Sequence, residues 1–225
     1  MPKRGSLEFI EVSSPITELV TKFGGQPVWY STPQWPISRS TGNPMRFICQ
    51  IALDPKLFGK CDARMAYLFM TDEEDYVDAT WDPESGENAV IIQPGETLVP
   101  VQPLATGPSL FVMTEEGTQS LVRRPCEFAV QMSISEDPEF LAEQQRWKME
   151  THESEQYWNS LQGNKVAGVP GFIQGDDFPG DSYHTLLLQL EDGELPFSVN
   201  FGDFGTGYAF LSDDRKSGKF LWQCC

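Results

Sequence analysis

Three short stretches of this chain occur twice and in the same order, and that repetition constrains the fold more than any single motif. Lys22-Phe23-Gly24-Gly25-Gln26-Pro27-Val28-Trp29 is matched by Lys165-Val166-Ala167-Gly168-Val169-Pro170-Gly171-Phe172. Phe47-Ile48-Cys49-Gln50-Ile51 is matched by Leu186-Leu187-Leu188-Gln189-Leu190. Tyr67-Leu68-Phe69-Met70-Thr71-Asp72-Glu73 is matched by Tyr208-Ala209-Phe210-Leu211-Ser212-Asp213-Asp214. The copies lie about 140 residues apart in all three blocks, and self-similarity at a fixed spacing means one supersecondary unit used twice. The sequence therefore predicts two related halves, 16–135 and 164–225, arranged about a common axis.

Within each half, short apolar runs are separated by Gly, Pro, Asn and Asp, which is a strand pattern. The first half has such runs at 46–53, 65–70, 89–92, 109–113 and 127–132, and the second at 185–190, 197–201, 208–211 and 220–222. Between them the spacing predicts a helix over about 137–162. Asp137 caps it, Pro138 takes the first helical position, and Phe140, Leu141, Trp147, Tyr157, Trp158 and Leu161 pack it across the sheets. Gly163-Asn164 ends it, and the polar middle, 150–156, permits a break into two. The expected fold class is α+β, mainly β: internally duplicated antiparallel β-sheet halves joined by a connector helix, in one domain over 1–225.

Each half opens on an irregular segment, with Gly24, Gly25 and Pro27 in the first and Gly168 and Pro170 in the second. Glycine permits the turn and proline stiffens the approach, so a ring that follows can lie flat on a sheet. Trp29, Tyr30 and Trp35 are then lids on the core, or else an exposed aromatic platform for a partner. Gln50 and Gln189 sit among apolar residues at equivalent places, and a buried glutamine must satisfy its hydrogen-bonding positions. They tie strands to the Gly-Pro segments, or they line a shared cleft between the halves.

The charge is one-sided, with 33 acidic against 16 basic residues and a net charge of −17. Such a surface repels phosphate backbones and anionic membranes and attracts basic partners. Direct nucleic-acid binding is disfavoured. The cysteines, Cys49, Cys61, Cys126, Cys224 and Cys225, are odd in number and lack the Cys-x-x-Cys spacing of a zinc ribbon. With no secretory h-region and no apolar run long enough to span a bilayer, the chain reads as reduced and cytoplasmic.

No catalytic signature stands out. His152 falls in the polar part of the connector, and His184 lies near Asp181 and Ser182 without a Gly-x-Ser-x-Gly elbow. Asp203-Phe204-Gly205 copies a kinase tripeptide without the rest of a kinase, and Gly202, Gly205 and Gly207 read as a hairpin turn. The acidic run Asp72-Glu73-Glu74-Asp75, with Asp78 and Asp82, lacks the central glycine of an EF-hand and reads as a solvated loop. No catalytic residue, metal ligand or cofactor is assigned; whether the chain is an enzyme stays open, leaning against.

Phe23-Gly24-Gly25-Gln26-Pro27-x-Trp29, Pro36 and Pro44-Met45-x-Phe47-x-Cys49-Gln50-Ile51 resemble the YwqG-like family of bacterial proteins. So do Gly168-Val169-Pro170-x-x-Ile173-Gln174, Leu187-Leu188-Gln189-Leu190 and Gly202-Asp203-Phe204-Gly205, although Ala167 replaces the first glycine. The resemblance implies a duplicated, mostly β fold in a superfamily with the eukaryotic programmed-cell-death-protein-2-like and ribosome-assembly proteins. Those relatives look like dedicated chaperones of a ribosomal protein, but this chain lacks their cysteine-rich zinc insertion. Two functions follow as expectations. The first is a non-catalytic protein-binding domain, chaperone-like or sequestering a basic partner such as a ribosomal or toxin-like protein, with Trp29, Tyr30, Trp35 and Gln174 as candidate contacts. The second is an enzyme or small-ligand sensor whose cleft is lined by Gln50, Gln189 and Asp203. RNA processing is a third idea, from superfamily context alone.

Overall fold

The computed structural model describes residues 1–72, 79–116 and 120–224. The apolar runs fold into strands: β1 Lys3–Glu11, β2 Lys22–Gly24, β3 Trp35–Pro36, β4 Arg46–Ala52, β5 Met65–Met70, β6 Asn88–Gln93 and β7 Val101–Gln102. They continue as β8 Phe111–Glu116, β9 Ser120–Pro125, β10 Glu127–Glu136, β11 Lys165–Ala167, β12 Thr185–Glu191, β13 Thr206–Leu211 and β14 Gly218–Gln223. The helices are short: α1 Pro55–Phe58, α2 Glu143–Arg146 and α3 Thr151–Leu161. No described helix is long and apolar enough to cross a membrane.

Among the described residues the main sheet closes into an antiparallel barrel in the order β1-β10-β2-β4-β5-β6-β14-β13-β12-β11. Closure leaves the sheet no free edge. Read outward from the β6/β14 seam, the order is the same on both sides: three longer strands, then a short one. β1 and β10 form the opposite seam, β10 pairing with β2 and β1 with β11. Alternate residues point inward, so Cys49, Ile51, Leu68 and Ile92 meet Leu188, Leu190, Ala209 and Phe220 in one core. The outward residues are buried too, because each half's irregular segment lies over them: Phe47, Tyr67 and Phe69 pack with Trp35 in one cluster, and Leu186, Tyr208 and Phe210 with Phe172 in another.

The same outward side chains fasten both covers. Lys22 Nζ donates to Gln26 O and to Glu127 Oε1; Lys165 Nζ donates to Val169 O and to Asp137 Oδ2. Gln50 Oε1 accepts from Val28 N, as Gln189 Oε1 does from Gly171 N. The Tyr67 hydroxyl donates to Val28 O and that of Tyr208 to Gly171 O. Gln93 Oε1 accepts from Ser31 N, and Gln223 Oε1 from Ile173 N and Gln174 N. Both long first strands also shift register at matching places, Phe47/Cys49 and Leu186/Leu188.

Three expectations need correction. The segment 137–162 is not one helix capped by Asp137. The Asp137 carboxylate instead holds Lys165 and the Val169 amide, so the helical pieces start only at Glu143 and Thr151. The tryptophans there do not pack: Trp147 is 74% exposed and Trp158 43%, while Tyr157 and Leu161 are the buried pair of α3. Residues 197–201 are no strand either. Phe197 enters the core against Phe9, Phe23 and Phe128, and Ser198 N donates to Phe111 O, which pulls the segment off any ladder. β1 was not anticipated at all.

Candidate functional site

The first cover segment does more than close its half. Gly24 and Gly25 take positive φ (+68° and +63°), which turns the chain back over β2 and sends Gln26 to Trp29 along the barrel wall. A groove of about 510 Å³ opens beside it, lined mainly by apolar side chains: Ile16, Pro27, Val28, Trp29 and Pro125. Lys22 and Glu127 form its floor, with the ammonium 2.6 Å from the carboxylate and almost no solvent contact. Trp29 lies on Tyr67 (4.8 Å between rings) and near-parallel to Phe69 (6.1 Å, 14°), so its position is fixed from behind. Its indole N–H donates to Ala105 O.

A second cavity of about 370 Å³ shares Gln26, Ser109 and Pro125 with the groove and is lined further by Arg46, Asp72, Phe111 and Arg123. Arg46 begins β4 but is only 4% exposed. Its Nη1 donates to Ser198 O (3.1 Å) and lies 3.4 Å from Asp72 Oδ2. Arg123, on β9, reaches the same Asp72 oxygen at 2.9 Å. Both guanidinium groups sit against the Phe111 ring, 5.0 and 4.4 Å from its centre. Burial pulls the Arg46 guanidinium below its ordinary value, and Asp72 opposes that shift. The β8/β9 ribbon supplies Phe111 and Arg123.

The structure scatters the residues predicted from sequence. Trp35 is fully buried with its indole N–H on Met45 O, Trp29 is half-buried, and Tyr30 is exposed with its amide on the Tyr67 hydroxyl. They form a packed cover rather than an open aromatic platform. Gln50 and Gln189 are both fully buried and hold different backbones, Glu18 and Val20 in one case and Leu161 and Gly163 in the other. They do not converge on a cleft. Asp203 is exposed on the loop before β13, and Gln174 is exposed with its side-chain amide on Cys224 O. Gly205 is buried where a Cβ would lie 1.8 Å from Phe201 O, which is a packing constraint. Pro27 and Pro170 lie buried in their covers.

His184 pairs with Asp213 (3.3 Å) in an exposed position, rather than with Asp181. The four described cysteines are free, Cys49 and Cys126 among them buried. Glu73, Glu74, Asp75, Asp78 and Cys225 lie outside the described residues. The arginine pocket escaped the sequence reading because Arg46 heads an apolar run and Arg123 lies outside the repeat.

Fold and groove together define a mainly β, closed-barrel protein with a recess formed by the segment after β2 and the β8/β9 ribbon. The chain belongs to the family described as a domain of unknown function, DUF1963, whose model matches residues 21–220. No curated protein matches the chain.

Proposed function

We propose that this is a non-catalytic binding protein that holds a segment of a basic protein partner in the groove beside Trp29. The groove itself carries the reading: it is apolar, of ligand size, and walled by a residue locked in place from behind. Its Ile16–Thr17 rim runs into exposed Glu18, and the whole chain carries −17, so a cationic partner is drawn to it and a polyanion repelled. Ribosomal and toxin-like proteins are basic partners of that kind. On this reading the chain is a YwqG-like member of DUF1963, one domain acting in the cytoplasm with its cysteines reduced. The halves 16–135 and 164–225 descend from one copied unit; the paired roles of Lys22/Lys165, Gln50/Gln189, Tyr67/Tyr208 and Gln93/Gln223 support that descent.

Affinity capture from the native cell, followed by binding of the purified partner to an Ile16→Asp variant, tests the reading. The expected result is a basic protein whose binding weakens with salt and is lost in the variant. Binding that is insensitive to both salt and Ile16→Asp would sink it.

A further inference from the structure

We propose that the arginine pocket next to the groove captures the terminal carboxylate of the partner chain, with the last side chain seated in the groove. This rests on the groove being the partner's site. The buried guanidinium of Arg46 has its Nη1 engaged, but its Nε has no hydrogen-bond partner among the described residues. The hydroxyl of Ser109, on the wall shared by both cavities, is likewise buried without a partner. Buried polar atoms are nearly always satisfied, and a charged donor left unpaired is the costliest kind, so two at one recess point to an acceptor that arrives from outside. A planar carboxylate matches a guanidinium edge.

The local charge supports an anion. Among the described residues Arg46 and Arg123 face one carboxylate, Asp72, which leaves an excess positive charge in a recess of a strongly acidic chain. A free polyanion is repelled at long range by that chain, whereas a basic polypeptide is attracted and brings one carboxylate at its end. The pocket is also not something the barrel needs. The place of Arg46 against Met70 is taken in the second half by Thr185 against Leu211.

The test uses the full chain and four probes, followed by tryptophan fluorescence: N-acetyl-leucine, N-acetyl-leucinamide, and a lysine-rich hexapeptide ending in leucine as free acid and as amide. The acids are expected to bind at least about tenfold more tightly than the amides. Arg123→Gln, at a half-exposed site, is expected to abolish that preference with the far-UV circular dichroism unchanged, and Ser109→Ala to reduce it several-fold. Equal binding of hexapeptide acid and amide overturns the carboxylate site while leaving the groove reading intact. Failure of all four probes overturns both. Inorganic phosphate that competes as well as N-acetyl-leucine, with no acid/amide preference, assigns the pocket to a phosphate group and overturns the proposal.

Discussion

At Ala167 a residue with a side chain holds the left-handed conformation (φ 57°) that Gly24 adopts at the matching place (φ +68°). The two sites differ in surroundings. A Cβ on Gly24 would lie 2.3 Å from the Cys126 carbonyl oxygen, so Gly24→Ala meets both backbone strain and a clash. Strain of this kind costs roughly 1–2 kcal/mol, and urea melts are expected to show Gly24→Ala losing more than about 2 kcal/mol. Ala167→Gly relieves the strain but frees the unfolded chain, so it is expected to be neutral or to gain up to about 1 kcal/mol. The buried ion pairs divide similarly. Asp137 is 1% exposed and would keep the Arg4 guanidinium at 3.0 Å but lose its buried ammonium, so Lys165→Met is expected to cost up to about 3 kcal/mol in the same melts. Glu127 is 11% exposed and can recover some water, so Lys22→Met is expected to cost less.

Among the elements, the covers are where function and stability meet, because a loop held by side chains from the strands below behaves as part of the sheet. Gln50→Leu removes the acceptor of the Val28 amide and the donors to Glu18 and Val20 carbonyls. Each orphaned buried group costs about 1–3 kcal/mol, but the barrel core is untouched. Amide exchange is therefore expected to accelerate at Val28 and Tyr30 far more than at residues of β5 or β13; uniform acceleration would mean the cover has no separate identity. These covers were partly legible in the sequence, since a glutamine between apolar residues, seen twice, reads as a tie or as a cleft lining, and the hydrogen bonds are those of a tie. The second-half segment at 197–201 was misread because its two phenylalanines mimic strand alternation while serving as a plug. The arginine pocket was invisible for a related reason. Repetition marks what the two segments share, and the pocket stands where they differ, at Arg46 in the place that Thr185 takes in the other.

Across the whole molecule, burial of weak acids sets the alkaline limit. Burial pushes the Cys126 thiol up to about 11 and the Tyr67 phenol up to about 12, and it also raises Cys49 and Tyr208. A raised folded value contributes stability that is complete below the unfolded value and is lost as pH climbs to the folded one. Lys165 works the other way: burial lowers it to about 8 from 10.5, so its contribution rises between those limits. Burial raises Tyr157 as well, so one group opposes five. Stability is expected to change little between about pH 8 and 9 and then to fall toward pH 11, by something on the order of 3 kcal/mol from Cys126 alone. Urea midpoints at one-unit pH steps check this, and a midpoint that keeps rising past pH 10 would show Lys165 to dominate.

One strand decides when any of this can form. β1 lies between β10 and β11, so residues 3–11 find their neighbours only near positions 128–136 and 165–167. A chain emerging from the ribosome must hold Leu7 and Phe9 uncommitted until residues 128–132 and 165–167 have been synthesised, and contacts of that reach make for slow folding. A copy shortened by its first eleven residues would leave two bare ladders facing water, ready to recruit each other from neighbouring molecules.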